Sequence, residues 1–177
     1  MAINETTAVD RQSGALLASI LWRFLEIHEP CVARAAGART GAFDVVTTVP
    51  SSTPQADEAR GNLRWIVEHG CGPTSARFAR VLRATGSAQP GRAFDPSRYV
   101  SGSVTGQDML LIDDTWTRGG HAQSAGAALK AAGASTVGLV AIGRHIRRDW
   151  ETEPGVSNGV HMDALPKQFD WGICCVH

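Results

Sequence analysis

The stretch from Met109 to Ala122, MLLIDDTWTRGGHA, constrains the fold more than any other part of the chain. Its apolar start is typical of a buried parallel strand, and this run ends in two adjacent carboxylates, Asp113 and Asp114. A loop with hydroxyl groups and glycines follows, and then an alanine-rich segment of high helix propensity. Open α/β sheets bind ligands at the carboxyl ends of their strands, so we expect a binding site here.

The loop after the two acids predicts an anion site. Gly119 and Gly120 let backbone N–H groups approach an anion closely, and the following helix directs the positive end of its dipole at the same point. Carboxylates beside that point can accept hydrogen bonds from sugar hydroxyls or hold a hydrated cation. The combination favours a phosphorylated sugar over a bare phosphate.

Composition limits the classes of partner. The chain has 177 residues, enough for one domain with a substantial core, and its Lys plus Arg and Asp plus Glu counts are both 17. This balance argues against a nucleic-acid or anionic-membrane partner. No apolar run is long enough to cross a bilayer and the N-terminus lacks a signal-peptide pattern, which predicts a cytoplasmic location.

The cysteines show no paired CxxC spacing. We therefore expect reduced, mostly structural thiols at Cys31, Cys71, Cys174 and Cys175. A metal site built from Cys174, Cys175 and His177 is the less favoured interpretation, because zinc sites usually show clearer ligand spacing.

Hydrophobic periodicity and helix breakers predict the other elements. Residues 1–12 are polar and predicted to be flexible, and a helix is predicted from about Gly14 to His28, with Pro30 interrupting or restarting it. Further predicted elements are a strand at 43–49, a helix at 55–68, a short strand at 99–104, a helix at 121–132 and a strand at 135–142, with 77–83 ambiguous between strand and helix and an irregular tail at 144–177. The strand–helix–strand order after the two acids predicts a parallel sheet.

Three features keep both a functional and a structural interpretation. Ser51 and Ser52 form either a second anion site or an ordinary strand-to-helix turn, and the turn is favoured. Arg60 and Arg64 share one helical face, which more often indicates solvated surface than an anion clamp. The glycine-, proline- and serine-rich segment 85–98 is either a lid over a site or a plain surface loop.

The sequence MLLIDDTWTRGG resembles the 5-phosphoribosyl-1-pyrophosphate (PRPP) binding motif of type I phosphoribosyltransferases. FDVVTTVP at 43–50, followed by two serines, is similar to the family's strand and pyrophosphate loop. Arg92-Ala-Phe94 and Arg60-Gly-Asn62 are similar to segments of its ComF-like, amidophosphoribosyltransferase-like branch. The resemblance covers about 43–143. It departs from the branch at Arg118, where a threonine is usual, and at His121, where threonine or serine is usual.

The resemblance implies a fold and a reaction. The fold would be the type I phosphoribosyltransferase version of an α/β fold, a mostly parallel sheet flanked by helices. One domain would span 13–177, with a core at about 43–143 and a small hood made by the N-terminal helix and the tail at 144–177. The reaction would transfer the 5-phosphoribosyl group of PRPP to an unidentified acceptor, with Mg²⁺ as cofactor and pyrophosphate as product. The implied partners are small molecules, and the family allows a homodimer.

The resemblance also implies roles for individual residues. Asp113 and Asp114 would be the catalytic carboxylates, which accept hydrogen bonds from the ribose hydroxyls. They would also hold Mg²⁺, through water or through those hydroxyls. Arg92 or Arg98 from the 85–98 loop would close over the departing diphosphate. The 5-phosphate would lie against Thr115, Trp116, Thr117, Arg118, Gly119 and Gly120, and the diphosphate against Val49, Pro50, Ser51 and Ser52.

Other families fit the acid pair less well. Response-regulator receiver domains also place two acids after an apolar strand, but they expect an acid pair early in the chain, and residues 1–42 contain no such strand ending. The absence of GxGxxG after a first strand and of GK[ST] argues against a dinucleotide-binding domain and a P-loop. A second function remains open: a PRPP- or nucleotide-binding regulatory or accessory protein without turnover, which the unusual Arg118 favours.

Overall fold

The computed structural model describes residues 5–59, 61–87, 91, 93–149, 151–153, 156–163 and 170–174. In chain order the elements are α1 (Glu5–Ala36), β1 (Val45–Thr48), α2 (Pro54–Ala59), α3 (Asn62–Trp65), a π-helical turn (Ile66–Gly70), α4 (Gly72–Ser75), β2 (Leu82–Ala84), β3 (Tyr99–Ser101), β4 (Asp108–Trp116), α5 (Gly120–Ala131), β5 (Thr136–Arg144), β6 (Glu151–Glu153), β7 (Val156–Ser157) and α6 (Asn158–Asp163). No helix in this part of the chain is long and apolar enough to cross a membrane.

Three parallel strands form the central sheet in the order β1–β4–β5. In this register Leu110 of β4 aligns with Val46 on one side and with Gly138 on the other. A strand between two neighbours, with helices over both faces, buries its central side chains, and the apolar run of β4 from Met109 to Ile112 is at most 1 % exposed. The predicted α/β class, with a parallel sheet flanked by helices, is confirmed.

The two faces of β4 belong to different parts of the core, because side chains alternate along a strand. Leu110 and Ile112 pack on the side of α1 and the π-helical turn, whereas Met109 and Leu111 pack on the side of α5 and the antiparallel β2–β3 pair. The first cluster includes Leu21, Leu25, Val32, Phe43, Val67 and Val140, and the second includes Leu82, Tyr99, Val104, Ala125 and Leu129. The sheet is therefore held between two helical layers that fix the ends of its strands.

Helix α1 is longer than its periodicity predicts. It already begins at Glu5, inside the segment predicted to be flexible, and it continues through Pro30 to Ala36. A proline in a helix interior costs about 3 kcal/mol, because it removes one backbone hydrogen bond and crowds the preceding turn. Val32 and Ala33 lie beyond the proline and are buried in the core. The predicted interruption is wrong because packing of the following turn outweighs the local cost.

Several other boundaries differ from prediction. The helix predicted at 55–68 is divided into α2, α3 and the π-helical turn, and Gly61, with a ψ of 1°, leaves the helical conformation before α3. In the ambiguous segment, Phe78 forms an isolated parallel bridge with Val46, and β2 begins only at Leu82. The tail predicted to be irregular contains β6, β7 and α6. Among the described residues of 85–98, none lies in a helix or a strand.

Candidate functional site

A cavity of about 570 Å³ opens at the carboxyl ends of β1 and β4. Its walls bring together two stretches that are far apart in sequence, the turn after β1 and the turn between β4 and α5, together with residues of α2 and α3. The lining residues are Thr48, Val49, Pro50, Ser51, Ser52, Asp57, Asn62, Leu63, Arg64, Asp113, Asp114, Thr115, Thr117, Gly119, Gly120, His121 and Ala122. Most of the residues that the sequence predicts as a site therefore share one cavity.

The two acids lie inside β4 instead of after it. The strand runs to Trp116 because β5 pairs with it along the same length, with Asp113 opposite Ala141 and Thr115 opposite Gly143. The predicted phosphate loop is therefore shorter than expected, since Thr115 and Trp116 belong to the sheet. Only residues 117–119 connect β4 to α5. Both carboxylates nevertheless reach the cavity wall.

Asp113 has an unusual protonation equilibrium. Burial, and secondly the negative charge of Asp114, raise its pKa from 3.8 to about 6. The backbone N–H of Asp114 donates to Asp113 Oδ1 at 3.0 Å and opposes part of this shift. A cation beside the two carboxylates would relieve their repulsion, and carboxylate oxygens are the ligands that Mg²⁺ prefers. The acid pair therefore fits a hydrated divalent cation.

The N-terminus of α5 faces the same cavity. Gly119 precedes the helix with a φ of +74°, and no side chain caps the first turn. Gly120, His121 and Ala122 of that turn line the cavity. Uncapped N–H groups at the start of a helix, together with its dipole, provide an anion site. The first turn of α5, and not only the loop before it, therefore lies where the sequence predicts an anion site.

Trp116 supports this turn instead of lining the cavity. A Cβ added at Gly119 would overlap the indole ring of Trp116, so the ring occupies the space behind the turn. Trp116 lines a different depression, with Ala141 to Arg144 of β5. The predicted contact between Trp116 and a phosphate is not supported by this position, because the ring lies on the other side of the glycine.

The turn after β1 offers few backbone donors. The N–H of Val49 donates to the carbonyl of Ile112 at 2.9 Å, Pro50 has no N–H, and the N–H of Ser51 donates to Asp57 Oδ1 at 3.0 Å. Three of the four residues predicted to receive a diphosphate therefore provide no available amide. The serine side chains remain on the cavity wall.

Two further wall residues are Asp57, which the sequence did not identify as a site, and Arg64, for which an anion clamp was the less favoured interpretation. Asp57 Oδ2 accepts from Arg64 Nη1 at 3.4 Å and from Arg80 Nη2 at 2.7 Å. The Arg64 side chain is 21 % exposed and lines the cavity, so it is only partly solvated surface. An acid in the first turn of a helix that follows a serine-rich turn is a pattern that could have indicated the Asp57 contact. Arg60 lies outside the described residues.

The orientation of His121 follows from a short chain of hydrogen bonds. The Tyr99 hydroxyl lies 2.9 Å from the carbonyl oxygen of Pro50, which can only accept, and 3.0 Å from His121 Nδ1. A phenol carries one proton, so Nδ1–H of His121 must donate to the Tyr99 oxygen. Burial raises the pKa of Tyr99, which keeps it a phenol. In the neutral imidazole the lone pair is then on Nε2, and the ring lies in the cavity wall.

Two predicted basic residues that the structure describes, Arg98 and Arg118, are not among the residues that line the cavity. Arg92 lies outside the described residues. Arg98 is 3 % exposed and is therefore buried instead of belonging to a mobile loop surface. Arg118 is exposed and is not among the residues that line the cavity. Within the described wall, Arg64 is the only arginine.

Comparisons of the chain with protein-family models, with curated proteins and with solved structures found no match.

Proposed function

We propose that this chain is a phosphoribosyltransferase that uses PRPP and Mg²⁺, on a type I phosphoribosyltransferase version of its α/β fold. The observation that carries the proposal is one cavity in which adjacent carboxylates and an uncapped helix N-terminus meet at the ends of parallel strands. Hydroxyl recognition and phosphate recognition at one point suit a phosphorylated sugar. The resemblance of MLLIDDTWTRGG to the PRPP-binding motif supports the same ligand.

The donor substrate, PRPP, would be held by groups at the start of α5 and at the end of β4. The first-turn N–H groups of α5 and the hydroxyl of Thr117 would bind the 5-phosphate. Asp113 and Asp114 would accept hydrogen bonds from the ribose hydroxyls and place negative charge beside the ring as positive charge develops there. When bound, Mg²⁺ would supply charge neutralisation on the diphosphate oxygens. Ionised Asp113 is the useful form, so its raised pKa predicts better binding above about pH 6.

The departing diphosphate requires a positive wall, and Arg64 is placed to provide it. Its present partner Asp57 also holds the N–H of Ser51. A diphosphate could accept hydrogen bonds from both the Ser51 N–H and Arg64 if Asp57 moved towards Arg80, whose Nη2 already lies 2.7 Å from Asp57 Oδ2. In the transfer, the bond from ribose C1 to diphosphate would break, a bond from C1 to the acceptor would form, and the acceptor's proton would pass to the departing diphosphate or to water.

A second candidate is a regulatory protein that binds PRPP or a nucleotide without turnover. The specific observation in its favour is the turn after β1, where three of four residues offer no available amide to a diphosphate. A protein that binds only the phosphate and ribose parts of a nucleotide would not need those donors.

The two candidates differ in pyrophosphate release. We would incubate the protein with PRPP, Mg²⁺ and a panel of bases, small amines and phenols, and measure pyrophosphate with a coupled assay. Release that depends on one acceptor, and that is lost in Asp113→Asn, supports the transferase. Binding of PRPP without release across the panel supports the regulatory protein. Absence of binding both to PRPP and to a nucleoside monophosphate contradicts both candidates.

A further inference from the structure

A second group of ligand-type side chains lies away from the cavity described above, between α1 and the C-terminal segment. His28, Cys31 and Cys174 each offer one ligand atom, and these three atoms lie within 4.8 Å of one another. His28 and Cys31 are three residues apart in α1, so both side chains leave the same face of the helix. Cys174 comes from the described C-terminal segment 170–174.

The hydrogen bond of His28 determines which ring nitrogen carries the proton. His28 Nε2 lies 2.7 Å from the carbonyl oxygen of Trp171, which can only accept, so Nε2 carries the proton. The lone pair of the neutral ring is then on Nδ1. Histidines that bind metals usually donate their other ring N–H to a carbonyl or carboxylate in this way. His28 is 4 % exposed, and Cys31 and Cys174 are half-buried, so the group is partly shielded from solvent.

One imidazole nitrogen and two thiols select a soft metal ion. Thiolate and imidazole ligands favour Zn²⁺ or Cu(I), whereas Mg²⁺ takes oxygen ligands. Metal–sulfur bonds of about 2.3 Å and metal–nitrogen bonds of about 2.0 Å place ligand atoms roughly 3.5–4 Å apart in a tetrahedral site. The observed group meets this spacing with small side-chain adjustments. We propose that His28, Cys31 and Cys174 bind Zn²⁺, with water or another group as fourth ligand.

The site differs from the one considered from sequence, and it has a structural consequence. The sequence grouped Cys174 with Cys175 and His177, both of which lie outside the described residues, whereas the structure places Cys174 beside α1. Asp170, Trp171 and Ile173 form part of the wall of an apolar cavity of about 600 Å³ over α1 and β5. Zinc would fix the C-terminal segment to α1 and so keep this cavity covered. This inference does not depend on the proposed phosphoribosyl transfer.

Metal binding by the wild-type chain tests the proposal first. The full chain would be prepared without a histidine tag, under reducing conditions, and titrated with Co²⁺ and with Zn²⁺ against a chromophoric chelator. We expect one metal ion per chain, with the thiolate-to-cobalt charge-transfer band and the intense visible bands of a tetrahedral cobalt site. Metal binding should also release protons, because the thiols must ionise to bind the metal. Failure to bind either ion under these conditions would overturn the proposal.

Single substitutions then locate the ligands. Cys31→Ser and Cys174→Ser should each weaken zinc binding by more than about 10-fold and remove part of the charge-transfer band. Cys71→Ser is the matched control, because Cys71 is a buried thiol outside the group. Circular dichroism would establish that each variant is folded. Equal zinc affinity in all three variants, or a loss shared by Cys71→Ser, would place the metal elsewhere and refute the assignment.

Discussion

Replacing Asp113 by asparagine should stabilise the folded protein at neutral pH while removing its proposed function. Asparagine keeps the shape of the side chain and can still accept the N–H of Asp114, but it carries no charge into the half-buried strand end. Removing a charge that is unfavourable in the native state raises the free energy of unfolding, so the variant should be more stable than wild type. Functional sites commonly carry such a cost.

The magnitude follows from the pKa of Asp113. A rise from 3.8 to about 6 corresponds to about 3 kcal/mol, at about 1.36 kcal/mol for each pH unit. Partial exposure of the carboxylate to solvent reduces this to about 2 kcal/mol. Above pH 6 the group is charged in both folded and unfolded states, so the native state bears the full cost. Below pH 3.8 the carboxyl group is uncharged in both states and the cost disappears. At pH 5, between the two pKa values, roughly half of the cost remains.

The assay is urea unfolding of wild type and Asp113→Asn at pH 7.5 and pH 5. We expect the variant's free energy of unfolding to exceed that of wild type by about 2 kcal/mol at pH 7.5, and by about half as much at pH 5. Asp149→Asn is the control, because that aspartate side chain is 71 % exposed. Equal stability of wild type and Asp113→Asn at both pH values, or a lower stability of the variant at pH 7.5, would refute the electrostatic description of the acid pair.

Three other substitutions test separate parts of the site. Gly119→Ala should destabilise the protein by more than Gly106→Ala, because the added Cβ would overlap Trp116 at Gly119 but meets open space at Gly106. Both glycines have a similar positive φ, so each substitution costs about 1 kcal/mol in backbone strain, and denaturation curves give the remaining difference. Tyr99→Phe should cost about 1 kcal/mol of unfolding free energy and change the His121 tautomer population, seen as altered ¹⁵N ring shifts, whereas unchanged shifts would contradict the hydrogen-bond order. Arg64→Gln should weaken PRPP binding while leaving the circular dichroism spectrum unchanged, and equal affinity would exclude Arg64 as a diphosphate contact.

The segment from β4 to α5 could be predicted because the sequence patterns that indicate its structure lie within that segment. The apolar run of β4, the two acids and the alanine-rich helix are contiguous, and each limits the conformation of its own segment. A parallel sheet follows because a helix between two buried strands leaves them running in the same direction. This reasoning placed Asp113, Asp114 and Gly119 at one strand end, where the cavity lies.

The parts that could not be predicted depend on contacts between distant segments. Helix α1 passes Pro30 because its next turn packs into the core, and β4 continues to Trp116 because β5 accompanies it. The N–H of Ser51 is taken by Asp57 through a fold of the chain that periodicity does not reveal. Tyr99, more than twenty residues from His121 in sequence, determines which nitrogen of that ring carries the proton.

Binding of PRPP in the presence of Mg²⁺ decides whether the cavity at the ends of β1 and β4 is a phosphoribosyl site. Isothermal titration calorimetry would compare wild type, the double variant Asp113→Asn with Asp114→Asn, and the control Asp149→Asn at pH 7.5. We expect wild type and Asp149→Asn to bind PRPP alike. The double variant should remain folded but bind at least about 10-fold more weakly, which corresponds to the loss of roughly one charge-assisted hydrogen bond. Equal PRPP affinity of the double variant and wild type would contradict the account.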